Sequence, residues 1–149
     1  MKLRLTVRKA DSLDIGVLAG LMTELSGHYM SESDMANRLK LIEESPIDSL
    51  YICENGERIV GCLGFRIREN IEETIPNCYG EISIIVVDNT ARRKGVGRFL
   101  MKYSEKLAKD QGCIGTWLFS GFGREELAHI FYKELGYKIN GYRFVKLLQ

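Results

Sequence analysis

The chain has 149 residues, 45% of them hydrophobic and 28% charged. That is the size and balance of one ordinary globular domain spanning 1–149, and it excludes disordered or collagen-like chains. With 21 Lys+Arg against 20 Asp+Glu the net charge is +1, so no overall field argues for nucleic acid or an acidic membrane surface.

Residues 1–8 alternate apolar and charged positions like a strand and lack the apolar core of a signal peptide. The longest wholly apolar stretch, residues 84–87, is far too short to cross a bilayer, so the expected location is cytoplasmic. The four cysteines, Cys53, Cys62, Cys78 and Cys113, form no C-x-x-C pair and fall mostly in predicted strands, where they read as buried free thiols.

A first strand is predicted at 3–7. Asp11 is then placed to cap a helix carrying Leu13, Val17, Leu18, Leu21 and Leu25 at helical spacing. Ser33 is the expected cap of a second helix with Met35, Leu39 and Ile42 on one side, ending before Pro46. Between the two helices, residues 27–30 read as a loop. Residues 50–53 and 59–67 read as strands joined at Asn55-Gly56, a pair suited to the positive φ of tight hairpins. The polar, acidic run 70–76 reads as a loop, and 79–87 is the most strand-like segment of the chain. A helix over 96–109 with Phe99, Leu100, Tyr103 and Leu107 on its apolar face closes at Gly112. A strand at 113–119, a helix at 124–135 ending at Gly136 and a last strand at 142–148 complete a mixed α/β domain.

The junction between strand 79–87 and helix 96–109 carries Arg92-Arg93-Lys94-Gly95-Val96-Gly97-Arg98. Unpaired N–H groups and the dipole at such a helix start favour anions. Gly95 and Gly97 permit close backbone approach, and four cations around the turn suit a ligand with more than one phosphate. The same pattern is equally that of a glycine turn with solvated charges. There is no Gly-Lys-Ser/Thr of a P-loop, and Leu100 stands where a dinucleotide fingerprint has its third glycine.

Arg92 to Gly97 fits the R/Q-x-x-G-x-G/A signature of the GNAT superfamily of N-acetyltransferases, and Ala128, Phe131, Tyr132, Gly136 and Tyr137 resemble that family's A-x-x-F-Y-x-x-x-G-F/Y helix. The resemblance implies an acyl-CoA N-acyltransferase fold, a central mixed and mostly antiparallel sheet with helices on both faces. It also implies acetyl-CoA as donor and coenzyme A as product, the pyrophosphate on main-chain N–H groups from Arg93 to Arg98, and the pantetheine arm along Ile85, Val86 and Val87 by strand addition. Glu125 stands where many relatives have Asn, a departure from the family's pattern.

An attacking amine must be neutral, yet a lysine-like amine with pKa near 10.4 is only about one part in 2,500 neutral at pH 7, so a proton acceptor is needed. Glu81 lies in an otherwise largely apolar strand, on the same face as Ser83, Ile85 and Val87 if no bulge intervenes, and burial there would raise its pKa. It reads equally as a solvated carboxylate or one paired with an Arg. In some family members a glutamate at the matching distance is the general base. The resemblance assigns Tyr132 as the acid that protonates the departing thiolate, against a packing tyrosine beside Phe131.

Direct transfer in a ternary complex needs no nucleophilic side chain, and neither Ser120 nor the cysteines have an evident base partner. No metal-ligand spacing is present. His28 and His129 are candidate substrate or proton-relay residues, or simply surface histidines. Glu24, Glu32, Asp34, Glu72 and Glu73 are read either as attracting a cationic amine or as a solvated face. The leading expectation is a small-molecule amine acceptor, beside a protein lysine or N-terminus and a non-catalytic acetyl-CoA sensor. Related folds also pair through strand edges into homodimers.

Overall fold

The computed structural model describes residues 3–70, 74, 76–120 and 125–148, which fall into two units, Met1–Leu118 and Phe119–Gln149. In the first unit, β1 (Leu5–Lys9), β2 (Asp48–Asn55), β3 (Arg58–Asn70), β4 (Asn77–Val87) and β5 (Gly115–Trp117) form one sheet in chain order. The first three junctions are antiparallel and β4–β5 is parallel, as the expected mixed sheet requires.

Asp11 accepts the Leu13 N–H (2.9 Å) and donates its own to Asp14 (2.8 Å). This reciprocal box starts a 3₁₀ turn, Ser12–Asp14, that runs into α1 (Ile15–Ser26). The turn has three residues per repeat rather than 3.6, so the buried stripe of α1 is Leu18, Ala19, Leu21 and Met22. Leu13, Val17 and Leu25, expected in the core, are exposed. Asp14 is itself buried and accepts from both terminal guanidinium nitrogens of Arg8 at 2.8 Å, which holds its carboxyl below the usual range.

The cap of α2 (Glu32–Glu44) is Ser31, which accepts the Asp34 N–H at 3.0 Å, not Ser33. Glu32 and Asp34 then stand in the first turn, where the dipole favours them. Met35 and Leu39, with Leu18 and Met22, pack on Leu50, Ile52, Cys62, Ile84 and Val86 from one face of the sheet. On the opposite face lies α3 (Val96–Asp110), whose Leu100, Met101, Ser104 and Ala108 are buried. A Cβ on Gly80 would overlap the Phe65 ring and touch Ala108, so glycine there sets how closely β4 approaches this helix.

The β2–β3 hairpin turns one residue later than Asn55-Gly56 predicts. Asn55 still pairs with Arg58, and Gly56 (φ 65°) and Glu57 form the turn. β3 runs on to Asn70 and β4 starts at Asn77, while most of the predicted loop between them lies outside the described residues. Of the cysteines, only Cys53 and Cys62 are fully buried; Cys78 and Cys113 are half-buried.

In the second unit, the predicted helix is a π-helical segment, Glu125–His129, leading into the short α4 (Ile130–Glu134), closed by Gly136 at φ 93°. Residues 142–148 form no strand; Tyr142, Phe144, Leu147 and Leu148 are 80–95% exposed. Their β-propensity is realised only against a partner strand, and the described residues of this unit supply none.

Candidate active site

β4 is where the sheet changes character. Its parallel pairing with β5 covers only Tyr79, Gly80 and Glu81, opposite Gly115, Thr116 and Trp117. From Ile82 to Val87 the edge facing away from β3 has no strand partner among the described residues. That stretch offers alternating N–H and C=O groups of the kind an extended ligand can pair with.

A bulge lies at the same place. Phe65 pairs with Ile82 and Gly64 with Ile84, leaving Ser83 as the extra residue. A Cβ on Gly64 would meet both Ser83 Oγ (2.7 Å) and Ile84 Cβ (2.9 Å), so glycine is what the bulge requires opposite it. The bulge changes the phase of β4. Gly80 faces α3, which puts Glu81 on the α1/α2 face, whereas Ile84 and Val86 occupy that face beyond the bulge. Glu81 is therefore on the opposite face from Ile85 and Val87, contrary to simple alternation.

Glu81 is 8% exposed. Its Oε1 faces Arg68 Nε at 3.3 Å in an ion pair, yet receives no hydrogen bond from the described residues. Arg68 in turn lies over the Trp117 ring, 5.6 Å from its centroid. The carboxylate is thus paired with an arginine, as one sequence reading had it, and its buried Oε1 lacks a hydrogen-bond donor among the described residues.

Beyond Val87, the Asp88 side chain accepts the Thr90 N–H (3.2 Å) and caps a 3₁₀ turn, Asn89–Ala91. Arg58 donates to both Asp88 (3.2 Å) and the Thr90 hydroxyl, which fixes the turn to the hairpin end of β3. Burden on the loop backbone is concentrated at Arg93 (φ 62°) and Gly95 (φ 91°). The first bond of α3 that closes on the loop runs from the Phe99 N–H to Gly95 O at 3.0 Å, and no side chain caps the helix. The N–H groups of Val96, Gly97 and Arg98 therefore have no intrahelical acceptor. Arg93, Lys94 and Arg98 are exposed beside them. Arg92 is committed elsewhere: it donates to Val87 O (3.2 Å) and pairs with Glu24 (3.5 Å).

On the α1/α2 face, next to the bulge, a cleft of about 220 Å³ is lined by Arg38, Arg66, Asp48, Ser49 and Ser83 among others. Arg66 is tied to Asp48 at 2.6 Å, while Arg38 has no carboxylate partner among the described residues. The sequence reading placed acidic residues at the acceptor wall and missed these arginines. The alternation of Arg66 and Arg68 in an otherwise apolar strand was the available signal. Of the acidic set, Glu24 is paired with Arg92 and Glu72 and Glu73 lie outside the described residues. His28 is exposed in the loop after α1.

In the second unit, Tyr132 is half-buried and packs edge-on against Phe131 (5.2 Å between centroids) and Tyr137 (6.2 Å). His129 is half-buried at the start of α4.

A bare helix N-terminus behind a strand with an open edge suits an extended ligand that ends in an anion. The Acetyltransferase (GNAT) family model matches residues 19–137, and the chain belongs to that family. It is 33% identical over 143 residues to an aminoalkylphosphonate N-acetyltransferase of Salmonella typhimurium, covering 96% of this chain and 88% of that one. A solved GNAT family acetyltransferase of Staphylococcus aureus matches 97% of this chain and 98% of its own at a TM-score of 0.80 and 26% identity. An aminoglycoside N-acetyltransferase solved with CoA shares the fold at a TM-score of 0.79 and 14% identity, covering 100% of this chain and 97% of its own.

Proposed function

We propose that this acetyltransferase is a single domain over 1–149 that moves the acetyl group of acetyl-CoA directly to the primary amine of a small molecule. The observation that carries the reading is the continuity of open β4 edge, capless α3 start and buried Glu81 along one strand-loop-helix segment. The Val96, Gly97 and Arg98 N–H groups and the Arg93, Lys94 and Arg98 side chains hold the pyrophosphate, and the backbone of Ile85 to Val87 aligns the pantetheine arm. Bound there, acetyl-CoA supplies the activated thioester.

Glu81 removes a proton from the ammonium form of the acceptor, directly or through a water donating to its unsatisfied Oε1. Arg68 keeps the carboxylate in place at the last position of β4 that pairs with β5. Tyr132 donates its phenolic proton to the departing thiolate. The cleft adjoining Ser83 takes the acceptor, and its arginines favour an amine that also carries an anionic group, as in the aminoalkylphosphonate substrate of the Salmonella relative.

Glu81→Gln and Tyr132→Phe each lower kcat/KM by about 10²–10⁴ while leaving the thermal stabilisation by acetyl-CoA unchanged; wild-type turnover in both variants refutes the two roles. Arg38→Met raises KM for an aminoalkylphosphonate but not for the corresponding uncharged alkylamine. An equal effect on both acceptors removes the anion reading and leaves the acetyl-transfer reading intact.

A further inference from the structure

Acetyl transfer, as read here, uses none of the four cysteines, yet two of them are brought together. Cys78 is the second residue of β4 and Cys113 stands just before β5. Their sulfurs are 2.9 Å apart, with Cys78 donating to Cys113. A covalent disulfide needs about 2.05 Å, so less than one ångström of side-chain adjustment separates the contact from a bond.

The backbone holds the pair in place from both sides. The Ile114 N–H donates to Cys78 O (2.9 Å) and the Cys113 N–H to Ala108 O (2.9 Å). Gly112, at φ 75°, makes the turn that returns the chain to the base of β4. Both thiols are half-buried, open enough to meet a small reagent. The other two differ: Cys53 and Cys62 are fully buried and project from opposite faces of the sheet, Cys53 with the α3-facing Gly61 position and Cys62 with the α1/α2 cluster. Burial also pushes their thiols up to about 11 and about 12.

We propose that Cys78 and Cys113 form a reversible oxidation site that takes a low-molecular-weight disulfide and becomes an intramolecular Cys78–Cys113 disulfide. The Cys78 thiolate attacks one sulfur of RS–SR, forming Cys78–S–SR and releasing the first RS⁻. Cys113 loses its proton to solvent and attacks the Cys78 sulfur, closing the bridge and releasing the second RS⁻. Two cysteines are oxidised, the reagent is reduced to two thiols, and the two protons end on those thiols. The first attack falls to Cys78, whose sulfur reaches the surface beside Gln111 O, and Cys113, 2.9 Å away, resolves the mixed disulfide. The bridge joins positions 35 apart and so turns β4, the glycine loop and α3 into one covalent ring.

The full folded chain is incubated with oxidised glutathione, free thiols are trapped with N-ethylmaleimide, and the digest is read by mass spectrometry. The expected product is a Cys78 peptide joined to a Cys113 peptide, two hydrogens lighter than the sum of the two, and separated again by dithiothreitol. Cys113→Ser stops at a glutathione adduct on Cys78. Recovery from the wild-type chain of maleimide-labelled Cys78 and Cys113, of glutathione adducts alone, or of a bridge between two molecules overturns the proposal. None of these readouts depends on acetyl transfer.

Discussion

Replacing Gly64 by alanine tests whether the β4 bulge holds the site in shape. The added methyl would stand 2.7 Å from Ser83 Oγ and 2.9 Å from Ile84 Cβ. The hydroxyl can rotate away, but the branched Cβ of Ile84 is fixed to the strand, so the bulge itself must move by several tenths of an ångström. Overpacking of this kind costs about 1–3 kcal/mol, which in a chain of this length lowers Tm by roughly 2–4 °C per kcal/mol. The displaced backbone is also the segment leading to Val87, so stabilisation by saturating acetyl-CoA falls as well. Gly20→Ala is the control. A Cβ there meets nothing within 4 Å, and alanine in the middle of α1 gains about 0.5–1 kcal/mol. Differential scanning fluorimetry of both variants, with and without acetyl-CoA, gives opposite signs for the two substitutions. Gly64→Ala melting within a degree of wild type, with undiminished ligand stabilisation, refutes the argument.

The Arg8–Asp14 pair makes a pH prediction. Because the folded carboxyl sits below its free value of 3.8, the stability it contributes is complete above that value and is lost as pH falls through the lower folded one. Urea midpoints of wild type and Asp14→Asn should therefore be far apart near pH 6 and draw together as pH falls below 3.8; a constant gap contradicts the linkage. Asp88→Ala removes the acceptor for Thr90 and Arg58, costing about 1 kcal/mol as lost caps do, and it weakens acetyl-CoA binding because the glycine loop starts there. Isothermal titration of acetyl-CoA checks it, with unchanged affinity counting against a positioning role for this turn.

What the sequence revealed divides along physical lines. Met35, Leu39 and Ile42 mark the buried side of α2, and the strand-loop-helix order around Gly95 is plain because each element there obeys its own period. Cap identity was less legible, since Ser31 and Ser33 offer the same chemistry two residues apart and only the register of α2 against the sheet chooses between them. The face of Glu81 followed from alternation only in the absence of a bulge, and a bulge leaves no residue signature on the bulged strand; its trace is a glycine, Gly64, on the neighbouring one. Arg66 left a trace, one of two alternating arginines in an otherwise apolar strand, but Arg38 left none, because a cleft formed between α2 and β3 is a property of packing. The strand expected at 142–148 failed because strand character belongs to pairs.

The bulge also makes Ser83 one residue more than the ladder with β3 needs. Upstream of Ser83 the odd-numbered positions face α1 and α2; downstream the even-numbered ones do. Removing that single residue would leave Ile82 and Ile84 consecutive opposite Phe65 and Gly64, so Ile84, Ile85, Val86 and Val87 would keep their faces and only the bend would be lost. Such a deletion therefore separates two roles of the segment, taking away the kink of β4 while leaving the packing on both sides of it in register.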